Sequence, residues 1–200
     1  TSVSSSGSNL RLNGAVVLTG ASTIDANNDA ISFTSTVNGN SSGRNLTVDS
    51  GTANTTFSGN VGGSTALADI SVTGAVIDAA ALAASGDITY TNSGSSTISG
   101  SISASSFTKA GSGQLTFKPS DASGDITLSA GSTVLSAASA MNNLSGSANI
   151  NTDGNNLELK NTSTTTYSGV LSGSGNITKS GTGRINLSGI NTYSGTTTIS

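Results

Sequence analysis

The 200-residue chain has no cysteine, no histidine and no tryptophan, and only one proline and one methionine. Without Cys or His there is no thiolate, no imidazole base and no zinc site of the usual ligands. Disulfide scaffolds are excluded for the same reason. Charge is scarce too: Asp, Glu, Lys and Arg make up 8% of the chain, against ~25% in an ordinary soluble domain. Seven basic residues and a net charge of −3 do not make the electrostatic footprint of a nucleic-acid binder. The longest purely apolar run is the six residues from Ala79 to Ala84, too short to span a bilayer as a helix. Four Phe and three Tyr cannot supply the aromatic girdles of a membrane barrel. Direct membrane insertion is therefore not expected.

What fills the chain is small and polar. Ser (40), Thr (29), Asn (20) and Gly (26) occupy 115 of the 200 positions. Leu, Ile, Val and Phe number 41, close to the level below which chains stay disordered, so their placement decides. They recur in short alternating groups such as Ile31-Ser32-Phe33, Leu46-Thr47-Val48, Ile88-Thr89-Tyr90, Leu115-Thr116-Phe117 and Ile185-Asn186-Leu187. Period two, with β-branched partners and Gly, Asn or Asp at the borders, is the pattern of strands. The one stretch with helical character is the Ala-rich run 78–84, which at two turns reads equally as a loop of small residues.

Self-comparison shows repeats. Phe57 follows Phe33 at a separation of 24, as Val61 follows Val37, and Leu46-Thr47-Val48 matches Ile70-Ser71-Val72 at the same separation. Phe107-Thr108-Lys109 through Phe117 aligns with Ile177-Thr178-Lys179 through Leu187 at a separation of 70, and Tyr167 returns as Tyr193 at 26. Seventy is close to three periods of 23 to 24, so one coil length accommodates both families. A unit of ~24 residues with strands of a few residues each cannot bury its apolar side chains alone, but stacked units can. The expected fold is an all-β, right-handed parallel β-helix (solenoid) of roughly 24-residue coils, about eight of them. A β-sandwich array repeats at ~100 residues, and a propeller blade needs about 40–50 residues and more aromatics.

The stretch from Leu171 to Thr197, with Ile177-Thr178-Lys179, Gly181-Thr182-Gly183, Ile185-Asn186-Leu187, Asn191-Thr192-Tyr193 and Gly195-Thr196 in order, resembles the passenger-associated transport repeat of bacterial autotransporters. Residues 98–117 carry a shorter copy, which departs at Lys118-Pro119. Residues 1–80, notably Thr23-Ile24-Asp25-Ala26 and Ile31-Ser32-Phe33, are similar to the filamentous-haemagglutinin type of adhesin repeat. These resemblances imply a right-handed β-helix in a large secreted or surface-displayed protein of a diderm bacterium. They divide the single solenoid segment 1–200 into haemagglutinin-like repeats (1–85) and transport repeats (86–200). The absence of Cys suits export through a narrow pore. The opening at Thr1 and the close inside a repeat at Ser200 read as an internal excerpt of a longer rod.

Candidates for chemistry are few. The acidic residues are Asp25, Asp29, Asp49, Asp69, Asp78, Asp87, Asp121, Asp125, Asp153 and Glu158. Carboxylate pairs or carboxylate-bound calcium would mark a carbohydrate-active β-helix, and the closest pairs are Asp25/Asp29 and Asp121/Asp125. Most of the ten stand beside Gly, Asn or Ala at strand borders, where Asp caps turns. Thr34/Thr36, Thr164/Thr166 and Thr196/Thr198 do not share a period, as an ice-binding face would require. Lys109 and Lys179 occupy equivalent positions, read as outward solubilising residues, and Tyr167 and Tyr193 are read as packing on a turn. Asn-x-Ser/Thr sequons at Asn40, Asn45, Asn54, Asn143, Asn161, Asn176 and Asn186 arise readily in such a composition.

The expectation is a structural, adhesive stalk or fibre at the bacterial cell surface or in a biofilm matrix, not an enzyme. No catalytic, cofactor or metal residue is assigned. Partners would be neighbouring coils or copies of the same protein, with host or matrix glycans as further candidates. The alternatives are a subunit of a surface filament or surface layer, and a carbohydrate-active β-helix enzyme.

Overall fold

Alternating apolar and polar residues can bury one side only if another strand covers it, and here each strand is covered by the next copy of itself. In the computed structural model, which describes residues 1–5, 7–119 and 124–200, 26 short strands form parallel ladders. The spine is a 13-stranded sheet. Its main path runs through Ser2–Ser4, Ser22–Asp25, Leu46–Asp49, Ile70–Gly74, Asp87–Asn92, Ser106–Ala110, Asp125–Leu128, Ser139–Gly146, Leu157–Lys160, Ile177–Ser180 and Thr197–Ile199. A nine-stranded sheet forms a second side, from Leu10–Leu12 to Leu171–Ser172. A third, discontinuous side stacks Val37, Val61, Leu82 and Ile102. The fold is a parallel β-solenoid of about ten turns. No α-helix occurs among the described residues.

Coil length departs from the expected constant period. Ser22 stands opposite Leu46, and Leu46 opposite Ile70, an advance of 24 at each turn. Ile70 then stands opposite Ile88, an advance of 18, and Ile88 opposite Phe107, an advance of 19. Later turns advance by 18 from Met141 to Leu159 and by 20 from Leu157 to Ile177. The difference is spread over all three corners, which span residues 26–30, 34–36 and 40–45 in one coil and only 75–76, 80–81 and 84–86 in a later one. Three consequences correct the sequence reading. The 70-residue repeat spans more than three coils and fewer than four, since three steps in register carry Lys109 through Leu128 and Gly146 to Tyr167, 58 residues on, and a fourth reaches Leu187, 78 residues on. The chain holds about ten turns rather than eight. The Ala-rich run 78–84 is neither helix nor plain loop: it joins the strands Ile77–Ala79 and Leu82–Ala83, because stacked neighbours give its backbone partners that an isolated short helix lacks.

The core is one continuous cluster threaded through the coils. Leu46, Ile70, Ile88, Phe107 and Ile126 form one inward column. Phe33 and Phe57 stack with ring centroids 4.7 Å apart and an interplanar angle of 13°. The 24-residue spacing placed that pair correctly, because it falls inside the long coils. One irregularity matters for the surface. In Ser139–Gly146 the register shifts against Asp125–Leu128, and Asn143 takes φ 42°. The strand then serves two partners: Ser139 to Asn142 face Leu157 to Lys160, whereas Gly146 faces Tyr167.

Phe57 is 2% exposed, with Phe33 on one side and Ala79 on the other. Phe57→Ala should cost ~3–5 kcal/mol in urea unfolding. A loss below about 0.5 kcal/mol, the level of a neutral surface change, would contradict this packing.

Candidate functional site

At the first of the two Lys-x-Gly-x-Gly corners the structure overturns the expectation of an outward, solubilising lysine. Lys109 is expected outside but is 0% exposed. It occupies the inward column between Tyr90 and Leu128. Its Nζ donates to the carbonyl oxygens of Gly111 (2.7 Å), Gly113 (2.7 Å), Ala130 (2.9 Å) and Ala110 (3.3 Å). Ala130 belongs to the next coil, so the ammonium ties two coils together. The glycines are required by space: a Cβ on Gly111, which has φ 82°, would collide with the backbone of Asn92. Lys179 repeats the arrangement in part, half-buried, donating to Ser180 O (2.6 Å) and Gly181 O (2.9 Å). Each corner rests on an asparagine of the preceding coil: Gly113 N donates to Asn92 O, and Gly183 N to Asn161 O. The amide nitrogens of those asparagines are bonded, but their Oδ1 atoms are buried without a partner. Burial pushes the Lys109 ammonium down from its ordinary 10.5 to about 8, while the surrounding carbonyls supply acceptors for its protons.

The tyrosines follow a similar course. Tyr90 and Tyr167 are fully buried, and their hydroxyls donate to Ile77 O and Ala148 O. Burial raises the pKa of both phenols. Tyr193 is half-buried and its hydroxyl meets Thr197 Oγ1 at 2.6 Å. The 26-residue spacing of Tyr167 and Tyr193 is not a coil advance, since the residue opposite Tyr167 is Leu187.

Only some of the acidic residues cap their own turns. Asp25 Oδ1 accepts from Asn27 N and Asp49 Oδ1 from Gly51 N, each at 2.8 Å. Asp69, Asp78, Asp87 and Asp125 instead brace the following coil, accepting from Asp87 N, Thr97 N, Ser106 Oγ and Asn143 Nδ2. Asp29 N donates to Ala26 O, and its Oδ2 is buried without a partner. Asp153 sits in a turn with φ 49°. Asp121 lies outside the described residues, so the pair Asp121/Asp125 has no described geometry. Among the described residues no three metal-ligating side chains come together. Of the sequon asparagines, Asn161 is buried, Asn143 forms the bulge, and Asn40, Asn45, Asn54, Asn176 and Asn186 are exposed.

Self-comparison of the sequence missed the most regular feature of the surface. Thr23, Thr47, Ser71, Thr89, Thr108, Thr127 and Ser145 stand in register on seven successive strands of the first sheet. Thr127 Oγ1 and Ser145 Oγ are 3.1 Å apart. Their spacing in sequence varies from 18 to 24, so no search at a fixed period aligns them. The next outward column mixes Asp25, Asp49, Thr73, Thr91 and Ala110, so the face is no uniform threonine lattice. Where this face reaches the Asn143 bulge it becomes concave. One cleft of about 490 Å³ lies over Ala138, Ala140 and Leu157, and another of about 550 Å³ lies beside Asp125 and Thr162. Lys160 lines both. Comparisons with protein-family models, with curated proteins and with solved structures find no match for the chain.

Lys109 makes stability depend on pH in a calculable direction. Below about pH 8 it is charged in both states. Between there and 10.5 the folded chain has released a proton that the unfolded chain still holds, so stability rises with pH. Above the ordinary phenol value of 10.0, the raised pKa of Tyr90 and Tyr167 reverses the slope. Urea midpoints should therefore climb from neutral pH to about pH 10 and then fall. Lys109→Met should be less stable at neutral pH and should lose the climb; a climb that survives the substitution would assign it to another group.

Proposed function

We propose that the chain is a stiff segment of a secreted or surface-displayed bacterial adhesin or fibre, with mechanical and adhesive work to do. The observation that carries this reading is the parallel stack of the first sheet, which links strands from Ser2–Ser4 to Thr197–Ile199 with one register shift at Ser139–Gly146. In such a stack each coil satisfies the backbone of the next, and each added turn adds its interface to the stability of the whole. Several side chains that could have served chemistry are engaged between coils: Lys109 ties one coil to the next, and Asp69, Asp78, Asp87 and Asp125 brace their successors. Such employment suits a rod under tension better than a catalytic groove. The likeness of residues 171–197 to the transport repeat of autotransporters supports an extracellular, cell-surface location. The partners in this reading are further coils or copies of the same protein, and glycans of a host or matrix.

A rod of about ten turns at ~4.8 Å per turn is roughly 50 Å long. Small-angle scattering of the purified chain should give an elongated particle with a maximum dimension near that length, and sedimentation should separate monomer from end-to-end polymer. Bacteria producing the protein in its native context should lose it to protease added outside intact cells, and should adhere less once it is deleted. A compact scattering envelope would refute the rod. Complete protection from external protease in intact cells would refute the surface location.

A further inference from the structure

The concave part of the first sheet carries its own chemistry. Lys160 faces Asn142 on one side and Ser180 on the other and lines both clefts, which meet at its side chain to make a two-part trough crossing successive coils. Its Nζ has Glu158 Oε2 at 3.5 Å, too long for a strong hydrogen bond, which leaves the donors of an exposed ammonium facing the trough. Glu158 Oε1 accepts from Ser180 Oγ at 2.6 Å and Asp125 Oδ1 from Asn143 Nδ2 at 2.8 Å. Each carboxylate thus has one oxygen fixed in place and further acceptor capacity toward the trough. The floor under Lys160 is small and apolar, made of Ala138, Ala140 and the edge of Leu157.

Charge and shape narrow the ligand. Among the described residues of the trough two carboxylates stand against one ammonium, and on a chain of net charge −3 they repel a polyanion. The ammonium at the centre repels a metal cation, and no trio of metal-ligating side chains accompanies it among the described residues. No aromatic ring lines either cleft, so a flat aromatic ligand has nothing to stack on. A neutral polyol meets every requirement, because each hydroxyl can donate to a carboxylate and accept from the ammonium. We propose that this trough binds a segment of a neutral, hydroxyl-rich polysaccharide, with Asp125 and Glu158 accepting from sugar hydroxyls and Lys160 donating to them. A linear chain of sugars lying along the rod axis advances by about one sugar per ~4.8 Å coil step, so successive sugars meet successive coils. The proposal deepens the adhesive reading of the rod and rests on it for its biological sense.

The test uses the whole chain, isotopically labelled, titrated with cellohexaose, laminarihexaose and maltohexaose, and separately with a hexamer of galacturonate and with calcium chloride. At least one neutral probe should shift backbone amides confined to residues 124–125, 138–143, 156–162 and 178–180. Lys160→Met and Glu158→Gln should each weaken that binding about tenfold or more, the loss expected for a hydrogen bond to a charged group. Both side chains reach solvent, so the fold should survive. Thr97→Ala, exposed on the second sheet, should leave binding unchanged. Absence of shifts with all three neutral sugars at millimolar concentration overturns the proposal. So does binding of galacturonate or calcium alone, or binding that neither variant weakens. A chain that scatters as a rod yet ignores these sugars sinks this proposal and leaves the rod standing.

Discussion

Everything in this molecule depends on the hydrogen bonds between one coil and the next. A single coil of three short strands has no partner for its own N–H and C=O groups, and unpaired backbone is expensive once water is excluded. Stacking in parallel satisfies them and places each inward side chain directly over its counterpart. The stacked rings of Phe33 and Phe57 and the column Leu46, Ile70, Ile88, Phe107, Ile126 are consequences of that one arrangement. So is the composition. A narrow interior has room for few large side chains, and corners where backbones pass closely need glycine: a Cβ on Gly113 would collide with the backbone of Gly94.

The same constraint explains why a lysine can sit in the core. Tight Gly corners turn several carbonyl oxygens toward one point, and those acceptors have no backbone donor of their own coil to meet. Lys109 brings an ammonium to that point and reaches Ala130 of the next coil. Polar groups elsewhere obey the same rule of serving the neighbour. Asn38 Oδ1 accepts from Ser64 N, Asn149 Oδ1 from Val170 N, and Asn176 Oδ1 from Thr196 N. A side chain that completes the neighbouring coil's turn is worth more in a solenoid than one facing water, and Asn, Asp, Ser and Thr are placed accordingly.

Surface function is left to whatever the stack does not consume. Along seven successive strands of the first sheet one outward column is a ladder of hydroxyls, beside a column of mixed side chains. The bulge at Asn143 breaks the evenness, splits the strand between two partners and opens the trough around Lys160. Bulges commonly re-aim side chains where a sheet must do more than pack. Away from the bulge the stack is regular, and at the bulge the surface carries charge of both signs.

The sequence by itself determined the class of structure: period-two alternation, glycine at the borders and repetition of units too small to fold alone admit little besides a parallel solenoid. It also determined the Phe33–Phe57 stack, because both lie in the long coils, where the advance is 24. Coil length beyond Ile70, the number of turns and the hydroxyl column were decided only by the tertiary structure. Corner loops change length while the strands they join keep stacking, so aligned residues stand anywhere from 17 to 24 apart and no single period finds them. The fate of Lys109 belongs to the same class. Alternation places it on the inward side of Thr108-Lys109-Ala110, yet lysine ordinarily belongs in water. Only the assembled corner, with carbonyls from two coils converging on Nζ, makes burial of that ammonium possible.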